Sequence, residues 1–240
     1  MGAARAAARL TAVGVALALA GCGAPAGGVL DGGGLGGGVP GGAPETARHD
    51  TASPAPLTGF AARFVGSVHE PAPEATVRPT PGSWDDVVVP AGYTMVVIAS
   101  GGGRTTEVLT AAVERYAAAH GAEVTVLTAH GDDEVEQRID EAVAAEPDLV
   151  VGVGDGVVDV FSLITAQYLD TGFLVVGAQL PEPTHNVTAV TWPGAEFRGT
   201  GLGNDDADPG AVTRERAEQA VGAGLASVLH DLTGIVLDLG

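Results

Sequence analysis

The sequence predicts an α/β domain built on a single doubly wound, mostly parallel sheet. Two observations carry that expectation. From residue 92 onward, short apolar runs alternate with amphipathic helical stretches. The runs are apolar throughout rather than at every second position, as strands covered on both faces are. A helix between each pair of consecutive runs is what right-handed parallel crossovers require.

The elements follow in order. Residues 94–99 (TMVVIA) form the first strand. Residues 104–120 align Val108, Leu109, Ala112, Val113, Tyr116 and Ala117 as a helical stripe, and Gly121 stops the helix. Residues 123–127 are a second strand. Residues 132–145 are a second helix with Val135, Ile139, Ala142 and Val143 on one face, closed by Pro147. Residues 148–153 (DLVVGV) form a third strand. Residues 155–169 are apolar on most faces, so that helix is expected to be deeply buried. Residues 173–177 and 187–192 are the fourth and fifth strands. Residues 209–230 form the last helix, and residues 235–239 the sixth strand.

Composition limits the function classes. The chain has 240 residues, enough for one ordinary domain plus extensions. It carries 30 acidic and 11 basic residues, every basic one an arginine, for a formal charge of -19. That charge excludes non-specific nucleic-acid binding and adhesion to anionic lipid by charge alone. Aromatics are only 4%, so the core is expected from Val, Leu, Ile and Ala. One cysteine excludes an intrachain disulfide and a cysteine-based zinc cluster.

Residues 1–21 read as a lipoprotein signal peptide. Arg5 and Arg9 supply a positive start, and residues 10–20 are apolar apart from Thr11. Leu19-Ala20-Gly21-Cys22 has the pattern of a bacterial lipobox, in which the Cys22 thiol takes the diacylglycerol and an acyl chain such as palmitate completes the anchor. The apolar run is about half the roughly 20 residues that span a bilayer. Residues 22–56 read as a flexible Gly/Pro-rich tether, with 11 glycines between Gly23 and Gly42. Residues 57–91 read as an extended irregular segment, with Phe60, Phe64, Val65, Trp84, Val87 and Val88 as candidates to pack on the α/β domain of residues 92–240.

In a doubly wound sheet, ligands sit at the carboxyl ends of the strands. Here that edge brings together candidate ligand-binding residues Ser100, Gly101, Gly102, Arg104, Asp155, Gln179 and Trp192, with Ala129-His130 beside them. SGGGRTTE is either an anion-holding turn assisted by Arg104 or a simple glycine turn capped by Thr105 or Thr106. GVGDGVVD lacks the third glycine of the dinucleotide fingerprint, Val157 standing in its place, so no nucleotide cofactor is expected. Asp155 either hydrogen-bonds a ligand hydroxyl or caps its own helix. Asn204, Asp206, Asp208 and Glu215 stand at calcium-loop spacing, but Pro209 replaces the required glycine, and a solvated acidic loop is the better account. The six histidines have no paired spacing, and nothing assembles a nucleophile with its base. No catalytic residue, metal or cofactor is expected. Asn186-Val187-Thr188 matches a glycosylation sequon, idle in a bacterial lipoprotein.

DLVVGVGDGVVDV, FLVVGAQ and HNVTAVTWPGAEFRG, with the lipobox, give the chain a resemblance. Residues 92–199 look like the first lobe of the BMP (basic membrane protein) family, lipoproteins that serve as substrate-binding components of ABC importers. The resemblance implies one lobe of a type I periplasmic-binding-protein-like fold, an ABC permease as partner and, for the family, nucleosides as ligands. Two departures shape the expectation. After Arg198 a polar loop, GTGLGNDDADPG, leads straight to one helix and one strand, so no second lobe is expected. The family's first loop carries an acidic residue and a Ser-Phe-Asn run; this one reads Ser100-Gly101-Gly102-Gly103-Arg104, without an aromatic, so nucleoside specificity does not carry over.

The expectation is a non-enzymatic lipoprotein, lipid-anchored on the extracytoplasmic face of the cell membrane. It acts as a solute-binding component with a permease, or as a homodimer that rebuilds the cleft, on a small-molecule ligand and without nucleic acid. The alternative is a structural or interaction lipoprotein with a degenerate binding lobe and no small-molecule ligand.

Overall fold

A computed structural model describes residues 55–195 and 208–240. The signal peptide, Cys22 and the tether up to residue 54 lie outside the described residues, as do Arg198, Asn204 and Asp206.

Seven strands form one parallel sheet among the described residues: β1 (Thr76–Val77), β2 (Thr94–Ser100), β3 (Glu123–Ala129), β4 (Leu149–Val153), β5 (Phe173–Val176), β6 (Val187–Thr191) and β7 (Ile235–Asp238). Their order is β1-β7-β6-β5-β4-β2-β3. Five helices accompany them: α1 (Gly59–Val65), α2 (Arg104–His120), α3 (Asp132–Ala144), α4 (Val158–Ile164) and α5 (Arg214–Leu229). From β2 the chain runs outward to β3, then returns past β2 to β4 and continues the other way. The switch in winding direction therefore lies between β2 and β4.

Strand residues alternate between two cores, as a period of two demands. Met95, Val97 and Ala99 of β2 face the layer of α2 and α5, while Val96 and Ile98 face α3 and α4. Leu149, Val151 and Val153 of β4 join the first core and Val150 the second. Aliphatic side chains dominate both, as the low aromatic content requires. α5 comes close to the sheet through Gly224, where a Cβ would lie 2.6 Å from Leu174 Cδ1.

Two expectations change. Residues 57–91 are irregular over most of their length, but they also contain α1 and β1. Phe64 is fully buried, stacked on Phe60 at 5.2 Å and edge-on to Trp84 at 6.3 Å; Phe60 in turn stacks on His230 at 3.8 Å. β1 pairs with β7, and Arg78 beside it bonds Asp238 at 2.5 Å. Val87 joins the core, but Val88 is 83% exposed. The expected deep burial of helix 155–169 does not hold either. Its α-helical part is seven residues long, flanked by 3-10 turns at Asp155–Val157 and Thr165–Gln167. Val158, Val160 and Phe161 face the sheet while Leu163 is 73% exposed. An apolar residue on a helix is not thereby on its inner face.

Asn186 ties this helix to the sheet. Its amide donates to the carbonyls of Thr165 (3.2 Å), Tyr168 (3.0 Å) and Thr171 (3.0 Å), and its Oδ1 accepts from the Thr184 hydroxyl at 2.6 Å. At 7% exposure it is a structural hub rather than a glycosylation acceptor.

Candidate functional site

A pocket of about 360 Å³ opens at the carboxyl ends of β2, β3 and β4, across the switch in winding direction. It is within the usual range for small-molecule sites, and it lies where doubly wound sheets bind ligands. Three turns build it. The turn after β2 contributes Ser100, Gly101 and Gly102; the turn after β3 contributes His130, Gly131 and Asp132; the turn after β4 contributes Asp155, Gly156 and Asp159.

The floor is a close approach of two glycine turns. Gly154 has φ 93° and ψ 165°, a region that residues with a Cβ avoid. A Cβ there would also strike the Ser100 carbonyl oxygen and approach Thr106 Oγ1 to 2.7 Å. A Cβ on Gly101 would strike the Asp155 carboxylate, and one on Gly156 would lie 2.5 Å from Ser100 Oγ. The two turns therefore interlock only because these positions lack side chains.

Local chemistry holds the rim. The His130 backbone N–H donates to Glu134 Oε2 at 2.8 Å, so the acidic start of α3 secures the turn before it. Arg138 Nε donates to the Thr128 carbonyl at 3.2 Å on the same turn. The α2 cap is Gly103, at φ 89°, and neither Thr105 nor Thr106 caps this helix. Thr106 is buried instead, and its Oγ1 has no hydrogen-bond partner among the described residues. Asp155 does not cap its own helix either, since Gly154 takes that position without a side-chain bond.

Of the residues expected at the edge, Ser100, Gly101, Gly102 and Asp155 meet in this pocket. Arg104, Gln179 and Trp192 are not in its lining. Arg104 is exposed at the start of α2. Gln179 follows β5, two strands from β2. Trp192 is 1% exposed and belongs to the core, its indole N–H donating to the Ala211 carbonyl at 3.0 Å. The pocket also takes Asp132, Gly156 and Asp159, which the candidate set did not include. Asp159 stands one turn beyond Asp155, the spacing that places two residues on one helical face. Among the described residues no cluster of three His, Cys, Asp or Glu is arranged to hold a metal ion, and no helix is long and apolar enough to cross a membrane.

Comparison with known proteins gives a family match over part of the chain. No curated protein matches the chain. Among solved structures, an ABC transporter solute-binding protein from Aeropyrum pernix K1 aligns at 20% identity and TM-score 0.38, covering 43% of this chain and 29% of that one. A second, from Conexibacter woesei, aligns at 24% identity and TM-score 0.37, covering 42% and 36%. A periplasmic ribose ABC transporter structure from the same organism aligns at 15% identity and TM-score 0.32, covering 62% and 54%. The chain spans about a third of the length of the first two. Residues 103–198, which run from the α2 cap past the end of β6 and include most of the pocket's lining, match the Bmp family, described as ABC transporter substrate-binding protein PnrA-like.

Proposed function

We propose that the protein is a non-enzymatic solute-binding lipoprotein of the Bmp type, held on the extracytoplasmic face of the cell membrane through Cys22. It presents one binding lobe to a small-molecule ligand and to an ABC permease. The pocket at the switch in winding direction, most of whose lining falls within the family-matched segment, is the observation that carries this reading. The described residues supply one wall of the site, and in this reading a permease face or a second copy of the chain faces it.

Gly102 provides the test. It lines the pocket, and a Cβ there meets nothing within 4 Å, so Gly102→Trp starts from an open position and adds bulk at the pocket. Thermal-shift screening of the purified chain with sugars, nucleosides and amines should find a ligand that the variant no longer binds. A ligand at 100 times its Kd adds about 2.7 kcal/mol, or about 5–10 °C in Tm for a domain of this size. If every compound leaves Tm unchanged, the interaction-lipoprotein reading replaces this one. Anchoring is tested separately. Cys22→Ala should release the protein from membranes or block its maturation, and unchanged fractionation refutes the lipid anchor.

A further inference from the structure

The pocket's lining carries three carboxylates, with the His130 imidazole beside them. Asp132 and Asp155 both line it, and neither forms an ion pair or side-chain hydrogen bond among the described residues. Asp159, which does have an interaction of its own, adds a third carboxylate. No lysine, arginine, Phe, Tyr or Trp lines the pocket among the described residues. Ser100 supplies an independent sign of a ligand. The residue is 2% exposed and lines the pocket, yet its hydroxyl makes no hydrogen bond among the described residues. The residue is buried but its oxygen is not sealed off, so a ligand group entering the pocket can bond it.

These features discriminate between ligand classes. An anion would meet three carboxylates and no lysine or arginine among the described lining residues. A nucleobase would find no Phe, Tyr or Trp to stack on among the described lining residues, only the His130 imidazole. A metal ion lacks a suitable donor cluster among the described residues. A cationic group with several N–H donors satisfies the carboxylates directly, and charge-assisted hydrogen bonds of this kind are the strong ones. The acidic surface of the chain, at -19 overall, further concentrates small cations near the site.

Resting on the reading of this pocket as the solute site, we infer that its ligand is a small organic cation. An ammonium or guanidinium group is bound by the Asp132 and Asp155 carboxylates, and a hydroxyl or N–H of the ligand bonds the Ser100 hydroxyl. Arg104, exposed and outside the lining, does not oppose such a ligand.

The test uses matched probes on the purified full chain by titration calorimetry. Glucosamine and glucose differ by one ammonium in place of a hydroxyl; agmatine adds a guanidinium, and adenosine tests stacking. Glucosamine or agmatine should bind at least about tenfold more tightly than glucose or adenosine, equal to about 1.4 kcal/mol. Asp155→Asn and Asp132→Asn should each weaken the cation about tenfold. Both carboxylates are exposed at the rim, so the unfolding midpoints should stay close to that of the parent. A cation that binds equally well to both variants is associating with the acidic surface at large, which overturns the proposal. If glucose or adenosine binds as tightly as the cations, and Gly102→Trp abolishes that binding, the solute site stands but its cation preference falls. If none of the four probes binds, the proposal falls as well, and the broader ligand screen decides whether the pocket is a solute site.

Discussion

Replacing Asn186 with alanine should destabilise the fold by about 2–4 kcal/mol. The side chain shares two amide protons among three carbonyls, on Thr165, Tyr168 and Thr171, and accepts one bond from Thr184. That amounts to about three hydrogen bonds at roughly 1 kcal/mol each. In the variant the carbonyls that end α4 lose their donor in a buried setting, which pushes the cost toward the upper end of that range. For a domain of this size, about 3 kcal/mol lowers Tm by about 6–12 °C. Urea unfolding followed by circular dichroism measures it directly, read as a shift in midpoint at constant slope. Asn186→Asp sharpens the test. Its ionised carboxylate would face three carbonyls and no donor except Thr184, so its folded-state pKa must rise above the unfolded value of about 3.9. A raised carboxyl pKa favours the folded state only while the group is protonated. This variant should therefore lose stability as pH rises from about 4 through that higher folded value. An alanine variant within about 0.5 kcal/mol of the parent would refute the hub, as would an aspartate variant whose deficit does not grow with pH.

Three further outcomes are expected. Gly154→Ala should cost about 2–4 kcal/mol through a disfavoured backbone and the clash with the Ser100 carbonyl; a denaturation midpoint equal to the parent's would show that the turns do not interlock. Thr188→Val should leave stability unchanged or raise it by up to about 1 kcal/mol, because the fully buried hydroxyl has no partner to lose. A clear loss in urea unfolding would reveal a hidden partner. The Glu218 carboxyl is held below its ordinary pKa by hydrogen bonds from Arg214 and then Arg115. A depressed carboxyl pKa contributes stability above the unfolded value and loses it as pH falls through the folded one. With its partners partly exposed, the contribution is under about 1 kcal/mol. Glu218→Gln should therefore differ from the parent near neutral pH and converge with it in acid; a pH-independent gap counts against the ion pairs.

Most of the regular structure could be read from the chain because it depends on local periodicity. Residues 104–120 and 132–145 gave α2 and α3 nearly to the residue, since a stripe, an acidic first turn and a terminal glycine all act within one helix. β1 was not legible. Two residues pair with a strand 160 positions away, and no period survives in so short a segment. The carboxyl edge of the sheet was readable from topology, but the distance along that edge was not. Gln179 follows β5, on the far side of β4 from β2 and β3, and is not among the residues that line the pocket. Trp192 had a usable signal. It follows Val190 by two, so strand alternation sends it to the same core. Asp159 was missed for a related reason: it is in the first turn of a helix, where a carboxylate ordinarily complements the helix dipole and so draws no notice.

The interlocked glycine turns divide the pocket into two parts with different evolutionary freedom. Its base is a close approach of glycine turns, with the Ser100 carbonyl against Gly154, so inheritance must preserve it nearly unchanged. Its margin is Asp132, His130 and Asp155, polar groups free to be exchanged without moving that base. A lineage can thus trade one cargo for another through a few surface codons while the scaffold beneath stays fixed.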